Sequence, residues 1–349
     1  MIVANGNALY LITNCMKFLF KKNIGFAIAF TAFACHTQAQ QRVQVLKVVK
    51  ENKVDVWVGG HLFTSFLYPD SLEKPVLYPL MAANGSMVTR GFPLKPQPGD
   101  PIDHPHHIGL WFNFENLNGL DFWNNSYAIP AGRKPKYGWI RTDKILKMSS
   151  GKTGTLTYHA NWTNQQKEVK LEETTTFTFS GNAHQRTIDR ITTLKAVQPA
   201  VFNDVKDGLL GLRIAHQLQM TDSTTKKVRD TIPTGNYLSS TGKTGNKVWS
   251  TRAAWCMVHG KLGTDSISIV IIDHPKNPNY PTFWHARGYG LFAANPLGEK
   301  AFTNGASAKN LTLRKGEKVN FRYRIIINNG KQRLSAKQID TLAQSFGSK

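Results

Sequence analysis

Apolar and polar residues alternate at single-residue spacing along most of this chain, the period of a strand with one buried face. Residues 42–49 and 53–58 are rich in β-branched side chains, bracket a short polar turn and predict an opening hairpin. Residues 61–67 predict a third strand, and residues 74–80 a short edge strand, because Pro79 has no N–H to give to a ladder. The runs 168–180 and 184–195 are separated only by Gly181-Asn182-Ala183, which predicts a hairpin with unusually long arms. Further strands are expected over 154–162, 210–218, 253–258, 266–273, 283–287, 290–294, 311–313 and 318–327. Only residues 335–346 read as helix, with Ile339, Leu342 and Phe346 spaced by three and four. No repeat or break in composition divides the body, so the expectation is an all-β fold: one large antiparallel β-sandwich over 40–349 with a short C-terminal helix. Two smaller sandwiches joined near 221–250 are the alternative.

One stretch stands out, Asp103-His104-Pro105-His106-His107-Ile108-Gly109-Leu110-Trp111-Phe112-Asn113-Phe114-Glu115. Read as a strand from Ile108, it puts Ile108, Leu110, Phe112 and Phe114 on a core face. His107, Trp111, Asn113 and Glu115 fall opposite, a costly row to bury and a natural floor for a cleft. The stiff, proline-dense loop 90–101 suits its lip. Asp121 and Trp123 follow in the next turn.

Asp-His-Pro recurs at Asp273-His274-Pro275, ahead of a strand on which Phe283, His285 and Arg287 share a face. Two such strands in one sheet would bring His107, Trp111, His285 and Arg287 together. The catalytic candidates are therefore His104, His107, His285, Asp103 and Asp121, with carboxylates holding imidazole tautomers for proton transfer. Trp111, Asn113, Glu115, Trp123, Arg213, Arg287, Asp273, His274 and Asn295 are the substrate-binding candidates. Flat indoles bordered by acids, amides and guanidinium suit a sugar ring. His104 and His106 could share a divalent metal, with Asp121, His274 or His285 completing the shell. His216 shares the apolar face of its run and reads as a hydrogen-bonded core histidine.

The first 39 residues change the picture. Three lysines precede the apolar run 24–34, and Thr37-Gln38-Ala39 offers a cleavage position, so 1–39 read as a secretory signal peptide. Met16 marks residues 1–15 as a candidate mis-start. The mature chain is expected in the periplasm or cell envelope without a transmembrane segment; a lipid anchor at Cys35 is the lesser alternative. Only Cys256 would remain, so no internal disulfide can form. The chain carries a formal charge of +22, and 41 basic against 22 acidic residues leave +19 after the leader. The basic residues are scattered and no nucleic-acid motif occurs, so nucleic acid is not the expected partner; the charge reads first as a solvated basic surface, and alternatively as attraction of a carbohydrate partner that is an acidic glycan or of an anionic envelope surface.

Taken together, Tyr78-Pro79-Leu80, Arg90-Gly91-Phe92-Pro93, the 103–112 stretch, Asn118-Gly119-Leu120-Asp121-Phe122-Trp123, Gly211-Leu212-Arg213, Asp273-His274-Pro275, Trp284-His285-x-Arg287-x-Tyr289-Gly290-Leu291 and Asn295-Pro296 resemble the bacterial family labelled "methane oxygenase PmoA". The resemblance spans most of the mature chain. It implies a galactose-mutarotase-like supersandwich and a setting in polysaccharide breakdown. The methane chemistry of the label does not fit, because that membrane subunit is a multi-span helical protein and this body is made of strands. Ile108 departs from the arginine expected after the paired histidines, which bears on activity or specificity if that arginine touches substrate.

Three functions follow. The first is an exported carbohydrate-active enzyme using His and Asp acid–base chemistry on a sugar or keto-sugar, by hydrolysis, elimination or epimerisation. A non-catalytic carbohydrate-binding or envelope module is the second, and a His-ligated metalloenzyme the third.

Overall fold

The computed structural model describes residues 39–221 and 232–348. The expected signal peptide, with Cys15 and Cys35, lies outside the described residues. In chain order the strands are β1 (Val43–Val48), β2 (Lys53–Val58), β3 (His61–Leu67), β4 (Val76–Leu77), β5 (Leu110–Phe114), β6 (Trp139–Ser149), β7 (Gly154–Thr163), β8 (Val169–Gly181) and β9 (Gln185–Ala196). They continue as β10 (Ala200–Phe202), β11 (Gly208–Arg213), β12 (Asn236–Ser239), β13 (Trp255–Leu262), β14 (Asp265–Asp273), β15 (Phe283–Ala286), β16 (Leu291–Asn295), β17 (Leu311–Leu313) and β18 (Lys318–Gly330). The expected C-terminal helix spans Ala336–Gly347 and opens on a capping box between Ser335 and Gln338.

Two antiparallel eight-stranded sheets result, ordered β1-β2-β3-β4-β5-β11-β16-β15 and β12-β13-β14-β18-β9-β8-β7-β6. They face each other across one apolar core that takes Val54, Phe63, Phe112 and Leu212 from the first sheet and Tyr158, Phe177, Ile188 and Phe321 from the second. Ring pairs such as Phe63–Phe179 at 6.2 Å and Phe112–Phe321 at 5.7 Å span the interface. The all-β sandwich expectation is therefore met. Among the described residues, no helix is long and apolar enough to cross a membrane.

Some local expectations fail for identifiable reasons. The strand read from Ile108 begins at Leu110, because Gly109 takes φ +55° and breaks the alternation. Ile108 consequently joins a cluster outside the inter-sheet core, with Trp111 and Trp123. The 74–80 segment is no edge: only Val76–Leu77 pairs, and it does so between β3 and β5, with Pro79 beyond the ladder. The run from 210 stops at Arg213, and a 3-10 turn at His216–Leu218 follows. There His216 is buried and bonds through Nδ1 to Gln219 Oε1 at 3.3 Å, as a core histidine.

Candidate active site

The outer face of the first sheet, turned away from the core, carries the imidazole stretch. Arg90 builds its loop. Its guanidinium, buried to 1 % exposure, donates to the carbonyls of Pro101, Asp103, His104 and His107 at 2.7–3.1 Å and to Asp103 Oδ1 at 2.7 Å. Arg213, also fully buried, donates to the same Oδ1 at 2.6 Å, while Asp103 Oδ2 lies 3.0 Å from His104 Nδ1. Burial alone would raise the Asp103 carboxyl, but the His104 bond and the two guanidiniums outweigh it and hold it at about 2. Asp103 is thus a permanent carboxylate that orients His104, and both side chains remain 41 % exposed.

The rings beside this pair form a continuous stack. Tyr289, His104, His107 and Trp111 follow one another at centroid distances of 5.2, 4.9 and 5.1 Å, with planes within 17° of parallel. Trp123 leans on Trp111 at 5.1 Å, and Lys74 Nζ sits 5.6 Å from the Trp111 ring while donating to His106 O at 2.8 Å. The Trp111 indole lies directly over Gly211, where a Cβ would meet it at 2.4 Å. Arg213 Nη1 approaches His107 Nδ1 at 3.4 Å, and since guanidinium only donates, the His107 proton is assigned to Nε2. Burial, then the neighbouring His106 and Arg213, keep His107 neutral. Burial and Lys74 likewise press His106 down to about 2.

Register carries this face on to the second segment. Trp111 pairs with Gly211, Gly211 with Ala293 and Ala293 with His285, one row across four strands on the same side of the sheet. The row spans roughly 14 Å at about 4.8 Å per strand. His285 Nδ1 lies 3.3 Å from Asp207 Oδ1, without the alignment of a full hydrogen bond. Beside it, burial and the neighbouring Asp207 and Asp121 raise the Glu115 carboxyl to about 7. Burial also raises Asp121, whose oxygens accept from Asn124 N and Nδ2 at 2.9 Å. Burial lowers His285. The Tyr289 phenol is raised by burial first, and both Asp207 and Asp103 add to the rise, so it stands within electrostatic reach of both acid–imidazole pairs.

The candidate residues thus separate. His104, Asp103, Glu115, Asp121, Arg213 and His285 share this face with Arg287, whose guanidinium is 5.5 Å from the Trp249 ring and 5.8 Å from that of Tyr289. His107 and His285 do not meet, being held apart by β11 and β16. His107, Trp111, Trp123 and Arg213 are 2 % exposed or less, so they support the site from beneath and offer no free face to a ligand; His285, also 2 % exposed, meets the face only through its contact with Asp207. Asn113 is fully buried and clamps Phe122 O at 2.6 Å. Asn295 clamps the Val205 and Lys206 carbonyls at 2.9 and 2.8 Å, which sets the loop bearing Asp207. Asp273 and His274 leave the site altogether: Asp273 bonds Asn277 and the Thr282 amide, and His274 packs its ring on Phe346 of the C-terminal helix.

For the His104–His106 pair, the structure shows no third ligand among the described residues. Their rings stand 5.7 Å apart at 70°, and no group of three or more metal-ligating side chains occurs among the described residues. Sequence reasoning missed Asp207, Lys74 and the roles of Arg90 and Tyr289. Arg90 and Tyr289 stand inside the motifs quoted above, whereas nothing local marks Asp207 or Lys74.

Residues 53–344 match the family described as "Family of unknown function (DUF6807)". No curated protein matches the chain. Among solved structures, the Slr1438 protein from Synechocystis sp. PCC 6803 aligns at 10% identity and TM-score 0.31, over 89% of this chain and 100% of that one. The GH36 alpha-galactosidase AgaB from Geobacillus stearothermophilus aligns at 10% identity and TM-score 0.38, over 83% of this chain and 41% of that one. A beta-arabinopyranosidase aligns at 12% identity and TM-score 0.30, over 83% and 38%. The chain spans about two fifths of the length of these two glycosidases. Likenesses this remote bear on neither its activity nor its site.

Proposed function

We propose, for a chain that belongs to the DUF6807 family of unknown function, an exported carbohydrate-active enzyme that moves protons on a sugar or keto-sugar. The observation that carries the reading is the coexistence, on one face of the sheet, of a carboxyl that keeps its proton near neutrality and of imidazoles set beside carboxylates. Glu115, raised to about 7, keeps a proton to give near neutrality, while His285 beside Asp207 is held neutral and able to accept one. His104, oriented by Asp103 and partly exposed, is a second proton carrier on the same face. Tyr289 and Arg287 supply an aromatic edge and a cation for hydroxyl or carbonyl oxygens. Elimination or epimerisation fits this set best, since both need a base and an acid flanking one carbon. Export to the periplasm or envelope, as the leader suggests, is part of the proposal.

The test is solvent-deuterium exchange followed by NMR over a panel of sugars, keto-sugars and uronates. We expect deuterium to enter carbon adjacent to a carbonyl with the full chain, and to be lost with Glu115→Gln and His285→Ala while both variants keep the wild-type circular dichroism. Folded variants as active as wild type would refute the reading.

A further inference from the structure

The second sheet carries a cleft that the imidazole face does not use. Ile140, Trp162 and Leu171 of β6, β7 and β8 point into the core, so their neighbours along each strand project outward. Trp139 pairs with Thr163, Thr163 with Val169 and Arg141 with Asn161, which puts an indole, a guanidinium, a hydroxyl and an amide on one outward patch. The loop that carries Gln165 and Lys167 and the turn at Asp70 wall it, enclosing about 570 Å³. That volume falls within the roughly 300–1,000 Å³ of small-molecule sites.

The walls are built by internal bonds, and part of their polar lining is left unpaired. Arg141 Nη1 donates to the Asp70 carbonyl at 3.0 Å and to that of Leu72, pinning the turn over the strand edge. Asn164 and Glu168 close the other wall, with Glu168 N on Asn164 Oδ1 at 2.9 Å and Asn164 Nδ2 on Glu168 Oε2 at 2.8 Å. Lys167 is held there at φ +65°. Lys134 Nζ, 5.5 Å from the Trp139 ring, helps fix the indole. Yet Asn161, Thr163, Gln165 and Lys167 make no side-chain hydrogen bond or ion pair among the described residues, although Thr163 is only 7 % exposed. Gln165 and Lys167 are exposed, and Asn161 and Thr163 line the same cleft, so all four are free to meet a ligand there.

We infer that this cleft is a binding subsite for an anionic sugar ring, such as a uronate. The indole offers a flat apolar face to one side of the ring, and the amides and hydroxyl of Asn161, Gln165 and Thr163 meet its hydroxyl groups. Glu168 is paired with Lys170 at 3.1 Å and Glu73 with Lys134 at 3.6 Å, so Arg141 and Lys167 against the remaining acid Asp70 leave one positive charge for a carboxylate. The inference stands independently of the proton-transfer reading. The two places are nonetheless linked along the chain: residues 70–72 wall the cleft, Glu73 O accepts from Ile140 N at 2.9 Å, and Lys74 reaches His106 in the imidazole loop. An acidic glycan would therefore meet both along one short segment.

Calorimetric titration of the full chain with galacturonate and trigalacturonate, and with galactose as the neutral control, tests this. We expect the uronates to bind at least tenfold more tightly than galactose. Asn161→Ala, at a half-buried side chain, and Lys167→Glu, at an exposed one, should weaken uronate binding tenfold or more with unchanged thermal unfolding, while Lys315→Glu, exposed beyond β17, should leave it unaltered. Uronate binding that survives both cleft variants, equal binding of galactose, or no binding at millimolar sugar would each overturn the assignment.

Discussion

His104 and Tyr289 stack face to face, 5.2 Å between ring centroids and 4° between planes. They come from the two segments in which sequence analysis placed the chemistry, and the stack is where those segments touch. Asp103 holds the edge of His104 and His107 covers one face at 4.9 Å, so the phenol ring is the restraint on the other face. Tyr289→Ala should release His104 and lower turnover by about a hundredfold, the usual order for a catalytic group out of position. Tyr289→Phe keeps the ring and should retain most of the rate. Steady-state rates of the two variants in the deuterium-exchange assay decide it, and equal rates would remove the stack from the mechanism.

Arg90 should be worth more to stability than any surface cation. It binds four carbonyls and a carboxylate from a position closed to water, so Arg90→Met strips five acceptors at once and leaves Asp103 with Arg213 and His104 alone. We expect a loss on the order of 3 kcal/mol in urea unfolding. Surface changes such as Lys144→Met, at a side chain 63 % exposed, should stay within about 0.5 kcal/mol. A cost below about 1 kcal/mol for Arg90→Met would show that the loop is held by other means.

The fold was legible where one face is buried and the alternation is long, as in β8 and β9, whose thirteen and twelve residues follow period two throughout. It was misread where a backbone conformation intervenes: Gly109 at φ +55° turns Ile108 away from the face that Leu110, Phe112 and Phe114 share. The site was half legible for a related reason. Local motifs mark His104, Asp103 and His285, but Asp207 becomes their neighbour only through the β5-β11-β16-β15 pairing, and no single-strand pattern encodes that. The indoles were misassigned because an outward-facing side chain can still be buried, here by the 103–107 loop and Lys74 lying over it.

Gly211 tests how tightly that buried layer is packed. A methyl at Gly211 would stand 2.4 Å from the Trp111 indole and 2.9 Å from that of Trp123, whereas one at Gly132 meets nothing within 4 Å. Gly211→Ala should cost about 1–3 kcal/mol and disturb the tryptophan fluorescence, with His107 displaced along with Trp111. Gly132→Ala should be close to neutral. Matching unfolding curves for the two variants would mean that the indole layer is loose.

Glu115 gives the site its pH signature, and the sign can be worked out. Its carboxyl ionises near 4.5 when unfolded and at about 7 in the fold, because burial and then Asp207 and Asp121 oppose the charge. Between those values the folded state holds a proton that the unfolded state has lost, so stability from this group is fully present below about 4.5 and declines as pH rises to about 7. Asp273, raised to about 7 by burial, acts in the same direction, while the buried histidines, lowered by burial, act in the opposite one. The wild-type curve is therefore a sum, and only the difference from Glu115→Gln isolates the carboxyl. The wild-type advantage in Tm over that variant should shrink steadily from pH 4.5 to 7 and stay level above it. Turnover that needs the protonated acid should fall across the same upper limit, with an apparent pKa near 7 that Glu115→Gln abolishes. Parallel Tm curves from pH 4.5 to 8 would place the Glu115 proton elsewhere and leave His104 as the acid to be tested next.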